Sequence, residues 1–151
     1  MKNSRLPHLP AAPPASRRSL VIARDFPTLC TLREIMAAAD FEVHCAAGAV
    51  EVWQLLGRYR YDAVIADLDF GTADPGPTLA IVARARQENP TSRLVVVTSA
   101  ADSAGSADFA RLAAEMCSAV RGDVAALRDE LDTIVRRPDT ALSFAQEGQS
   151  W

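Results

Sequence analysis

Short apolar runs alternate along this chain with longer amphipathic ones, which is the order that successive βα units produce. Leu20-Val21-Ile22-Ala23 reads as a first strand, followed beyond Pro27 by a helical stripe of Leu29, Leu32, Met36 and Ala39. Phe41 to Cys45 alternates apolar and polar residues, as a half-exposed edge strand does, and Ala49, Val52, Trp53 and Leu56 mark the next helix. Ala63-Val64-Ile65-Ala66 and Leu94-Val95-Val96-Val97 are unbroken apolar runs suited to central parallel strands, with a helix carrying Leu79, Val82 and Ala85 between them. Phe109, Leu112, Ala113 and Met116 fit a fourth helix, Cys117 to Val120 a smaller fifth strand, and Val124, Leu127, Leu131, Ile134 and Val135 a fifth helix that Pro138 ends.

Five such units with right-handed crossovers predict an α/β fold, a doubly wound five-stranded parallel sheet of flavodoxin-like order 2-1-3-4-5. The folded domain is expected over residues 19–137. Residues 1–18 are rich in Pro, Ala and Arg and read as a disordered lead-in, and residues 138–151 read as a polar tail. With 151 residues the chain is far too short for an eight-fold barrel.

Composition narrows the function. A net charge of −3 offers no global attraction for nucleic acid, although the acid-free stretch from Met1 to Arg24 is locally basic, and no DNA-binding role is expected. No apolar run approaches the roughly 20 residues that cross a bilayer, so no membrane role is expected either. The three cysteines, Cys30, Cys45 and Cys117, are scattered without a C-x-x-C pair, and His8 and His44 add no metal-ligand spacing. That pattern fits a reducing, cytoplasmic setting; all three cysteines read as small apolar residues, Cys45 and Cys117 fall on opposite edge strands of the expected sheet, and no disulfide is expected.

In a doubly wound sheet all strands end on one rim, and ligands sit where the strand order reverses, here between the first and third strands. The residues expected there are Arg24-Asp25-Phe26-Pro27, Asp67-Leu68-Asp69, Thr98-Ser99-Ala100 and Arg121-Gly122. Each has an ordinary reading beside the functional one. Asp25 is placed to cap a helix whose first turn holds Pro27, Asp67 to cap a turn, and Thr98 suits any strand end. Arg24 and Arg121 read singly as surface charges.

Taken together, these residues resemble the receiver domains of response regulators in two-component signalling, over residues 19–136. Arg24-Asp25 stands where the family has an acidic doublet, Asp67 at the phosphoacceptor aspartate, Thr98 at the switch hydroxyl and Arg121 at the lysine. The resemblance implies that Asp67 takes a phosphoryl group from a histidine kinase or phosphotransfer protein, at most phosphorylating and dephosphorylating itself, and so is a signalling domain rather than an enzyme. It further implies Mg²⁺ held by Asp25, Asp67 and the backbone carbonyl of Asp69, and a downstream protein, or a second copy, met by the face of the fourth helix, fifth strand and fifth helix. Too few residues follow Val135 for an attached helix-turn-helix module.

Several positions depart from the family. Two acids against two arginines make the site formally neutral, whereas three acids and one lysine leave an excess of negative charge, so the pull on Mg²⁺ is weaker here. Arg24 either swings away from the pocket or reaches Asp67 in place of a cation. The planar fork of Arg121 differs in reach from a lysine ammonium, Ser118 stands near the usual switch aromatic, and Gly122 replaces a proline. These departures favour an alternative, a pseudo-receiver scaffold that binds partners without phosphorylation. A third reading, a flavodoxin-like small-molecule or nucleotide binder, is opposed by the first loop, which lacks the Gly, Ser or Thr that a phosphate-binding loop uses.

Overall fold

Each apolar run does become a parallel strand, and the computed structural model describes residues 17–68, 76–98, 106–118 and 124–136. The strands β1 (Arg17–Ile22), β2 (Phe41–Ala46), β3 (Ala63–Asp67), β4 (Arg93–Thr98) and β5 (Ala114–Ser118) form one sheet in the order β2-β1-β3-β4-β5. Helices α1 (Phe26–Ala38), α2 (Ala49–Arg58), α3 (Gly76–Glu88), α4 (Ser106–Arg111) and α5 (Val124–Arg136) follow the strands in turn. The fold class and strand order are those expected.

The alternation of side chains along each strand divides the interior into two cores. Leu20, Ile22, Val64, Ala66, Leu94 and Val96 point to one side, where Val52 and Leu56 of α2, Ile81, Val82 and Ala85 of α3, and Phe109 of α4 cover them. Val21, Ile65, Val95 and Val97 point to the other, against Leu32, Ile35 and Met36 of α1 and Leu127, Leu131, Ile134 and Val135 of α5. β1, β3 and β4 are therefore buried on both faces, which explains why their sequences are continuously apolar. β2, at the edge, keeps Glu42 exposed and His44 half-buried, with His44 Nδ1 hydrogen-bonded to the Tyr61 hydroxyl at 2.8 Å. Burial pushes the Tyr61 phenol up to about 12, so at neutral pH it stays protonated and able to donate. Trp53 is only half-buried, with the Arg84 guanidinium 5.7 Å from its ring.

The first strand starts earlier than expected, at Arg17. Reciprocal hydrogen bonds explain this: Arg18 N–H donates to Asp62 Oδ2 at 2.8 Å and Asp62 N–H to Arg18 O at 2.7 Å. The fourth unit needs a larger correction. α4 stops at Arg111, and the Leu112 and Ala113 N–H groups bond back to Phe109 and Ala110 carbonyls at 3.0 and 2.9 Å. Ala113 then takes a left-handed φ of 59°, which turns the chain into β5. Met116 thus belongs to β5, which starts three residues before the expected Cys117. The earlier start pairs Leu94 with Ala114 and lets Glu115 meet Arg93 Nη1 at 3.2 Å. Val124 also departs from its expected core position; as the first residue of α5 it is 44% exposed.

Arg86, on α3, fastens this corner. Its Nε donates to Leu112 O at 2.9 Å, Nη1 to Pro90 O at 2.6 Å and to Ser92 O at 2.9 Å, and Nη2 to Ala113 O at 3.3 Å. One planar fork thereby holds the turn before β4 and the turn before β5. Arg86→Ala is expected to lower unfolding free energy by about 2 kcal/mol in urea titration, and Arg86→Lys to recover less than half of that, because an ammonium cannot serve four divergent carbonyls.

Candidate functional site at the carboxyl rim

Because all five strands are parallel, their carboxyl ends share one rim. β1 is followed by a crossover to β2 on one side, while β3 lies on its other side, so the strand order reverses between β1 and β3. Ile22 pairs with Ala66 in the last step of that ladder, and Asp67 is the next residue of β3, beside Val97 of β4. The Leu68 N–H donates to Val97 O at 2.8 Å, holding β3 straight through the aspartate. Asp67 thus stands half-exposed at the end of the central strand, where the sequence places it.

A residue without any motif of its own fixes that end. Thr78, in the first turn of α3 and fully buried, aims its hydroxyl at the carbonyls of Asp67 at 3.2 Å and Leu68 at 3.1 Å. A threonine close after Gly76-Pro77 looks in sequence like any helix-start residue, and its role becomes visible only when α3 lies against β3.

Asp25 takes its ordinary part. It caps α1 from extended backbone at φ −81° and ψ 125°, accepting from Thr28 N–H at 3.0 Å and Thr28 Oγ1 at 2.8 Å, both on Oδ2, with Pro27 in the first turn. Such a cap contributes about 1 kcal/mol to helix stability. It also occupies one carboxylate oxygen that the resemblance would assign to a metal. Among the described residues no group of three or more His, Cys, Asp or Glu side chains is placed to hold a metal ion. Of the two carboxylates that the resemblance would assign to Mg²⁺, Asp25 thus has one oxygen engaged in capping and an arginine preceding it.

Arg24 is exposed on the loop between Asp25 and β1, and Thr98 ends β4 almost fully buried, opposite Ser118. Asp69, Arg121 and Gly122 lie outside the described residues. Three large apolar side chains on the rim stand out instead: Phe26, Val50 and Val124 are 73%, 69% and 44% exposed at the first turns of α1, α2 and α5. Phe26 and Val124 read in sequence as a loop residue and a core residue, because an apolar letter carries no sign of which end of a helix faces the sheet.

No protein-family model and no curated relative matches the sequence. Solved structures do match. A response regulator from Thermotoga maritima superposes with a TM-score of 0.66 over 81% of this chain and 99% of its own, at 18% identity. The chain has the receiver-domain fold. A response regulator from Burkholderia pseudomallei, solved with a phosphorylated aspartic acid, a calcium ion and citrate, matches with a TM-score of 0.65 at 21% identity, over 89% of this chain and 74% of its own. An orphan response regulator of H. pylori matches with a TM-score of 0.65 at 16% identity, over 82% and 100%.

The cap and a carboxylate role at Asp25 separate by substitution. Asp25→Ala is expected to destabilise the domain by about 1 kcal/mol in urea titration, and Asp25→Asn by a few tenths at most, because an amide oxygen still accepts from Thr28.

Proposed function

We propose that this chain is a receiver-type signalling domain that accepts a phosphoryl group on Asp67 from a histidine kinase or phosphotransfer protein and acts through contacts with other proteins in the cytoplasm. The observation that supports it is the place of Asp67, a half-exposed carboxylate ending the central strand at the point where the strand order reverses. One Asp67 carboxylate oxygen attacks the phosphorus of the donor phosphohistidine. The P–N bond breaks, its electron pair returns to the imidazole, and an aspartyl phosphate remains. Positive charge for the incoming oxygens comes in this reading from Arg24 and Arg121, and the Thr98 hydroxyl accompanies the phosphoryl group. The exposed Phe26 and Val124, at the starts of α1 and α5, suit the docking of the donor protein, and the face of α4, β5 and α5 suits the downstream protein or a second copy.

A specific observation favours the second reading, a scaffold that binds partners without phosphate. The carboxylate of Asp25 is tied into the α1 cap, and among the described residues no group of three or more His, Cys, Asp or Glu side chains is placed to hold a metal. Incubation with a small acyl phosphate, with and without Mg²⁺, followed by intact-mass analysis distinguishes the two. The wild type is expected to gain about 80 Da and Asp67→Asn nothing, the amide being a far weaker nucleophile. A folded wild type that gains no mass under either condition, or from a phosphohistidine donor, establishes the scaffold instead.

A further inference from the structure

We infer that Thr78 is a positioning residue for phosphoryl transfer to Asp67, an inference that rests on the reading of Asp67 as the acceptor. The Asp67 carbonyl and the Leu68 N–H belong to one peptide group, and that group is held from both sides. Its N–H donates to Val97 O on β4 at 2.8 Å, and its carbonyl accepts from Thr78 Oγ1 at 3.2 Å. The same hydroxyl lies 3.1 Å from the Leu68 carbonyl, so its single proton is shared between two successive peptide groups. A planar peptide gripped at N–H and C=O resists rotation, which sets the backbone angle after the Asp67 Cα and the direction in which its Cβ leaves the strand. The carboxylate then has only its own side-chain torsions left to adjust.

Thr78 acts from behind the reacting group. Alternation along the strand sends Ala66 and Leu68 into the core that Ile81, Val82 and Ala85 of α3 cover, and Asp67 to the opposite side of the sheet. The hydroxyl comes from the α3 side, so it reaches the backbone of Asp67 and not the carboxylate. It is also fully buried, where water cannot take its place. Valine has nearly the same shape and no donor, which makes the contribution of the hydroxyl separable from that of the packing.

The other end of α3 provides the comparison. Asn89, buried just beyond the helix, accepts the Tyr61 N–H on Oδ1 at 2.9 Å, close before β3 begins. Buried polar side chains thus fasten α3 to both ends of β3, and only Thr78 holds the peptide of the acceptor. Attack requires a carboxylate oxygen in line with the phosphorus and the leaving atom, and a displacement of about 1 Å in such a group costs up to about a hundredfold in rate.

The test times the reaction of the full chain with increasing concentrations of a small acyl phosphate and Mg²⁺, using acid quench and intact mass. In this reaction an Asp67 oxygen bonds to the phosphorus, the bond from phosphorus to the acyl oxygen breaks, and a carboxylate leaves. Thr78→Val is expected to lower the limiting rate at least about fivefold at an unchanged half-saturating donor concentration, and Thr78→Ser to stay within about twofold of wild type. Asn89→Ala is expected to lower the urea midpoint and keep the wild-type rate. Thr78→Ala takes the place of the valine variant if urea titration shows that variant unfolded. A folded Thr78→Val that reacts as fast as wild type, a change confined to the half-saturating concentration, or an equal slowing in Asn89→Ala overturns the inference and leaves Asp67 as the acceptor. A folded wild type that gains no phosphoryl group overturns the acceptor reading, and the inference with it.

Discussion

Burial of β1, β3 and β4 on both faces is the constraint from which the rest of this molecule follows. A strand with apolar side chains on each side cannot satisfy them with one layer, so helices are required above and below the sheet. α2, α3 and α4 cover one face and α1 and α5 the other. Parallel strands joined through these helices must all end on the same rim. The site is the consequence: at that rim, between β1 and β3, backbone carbonyls and side chains are exposed without interrupting either core.

The rim is built by groups that hold backbone as much as by groups that could react. Thr78 pins the end of β3 through two carbonyls, and Asp25 begins α1 by capping Thr28. Asp25 is consequently under two demands, since an oxygen that accepts from the helix is a poorer metal ligand. Arg24 beside it adds positive charge where a receiver would gather acids. The rim therefore presents Asp67 at the end of β3 with an arginine, Arg24, beside the capping aspartate of α1. Phe26, Val50 and Val124 leave large apolar side chains exposed at the helix starts that share this rim.

Sheet order and helix number were legible in sequence because they rest on periodicity, and periodicity is imposed by burial. The alternating Phe41–Cys45 run marked the edge, and the unbroken Ala63–Ala66 and Leu94–Val97 runs marked the centre. The start of β5 was not legible. Leu112, Ala113 and Met116 satisfy helical spacing, and what breaks the helix is an alanine in the left-handed region, held by an arginine 27 residues earlier in the chain. Neither influence is local. The positions of Asp67 and Thr98 at strand ends were legible because they end apolar runs, and the cap at Asp25 because its spacing to Pro27 is that of a cap. Thr78 was missed for the opposite reason: its partners are carbonyls ten and eleven residues away, which sequence spacing does not display.

The central claim is that Asp67, and no other carboxylate of the rim, is the reactive group. Borohydride reduction of the phosphodonor-treated protein measures this directly, since an aspartyl phosphate is an activated acyl group that hydride converts to homoserine while free carboxylates are untouched. Peptide mass spectrometry is predicted to find homoserine at position 67 alone. Homoserine at position 25 or 69, or aspartate retained at 67 in a chain that carries the phosphoryl mass, contradicts the account.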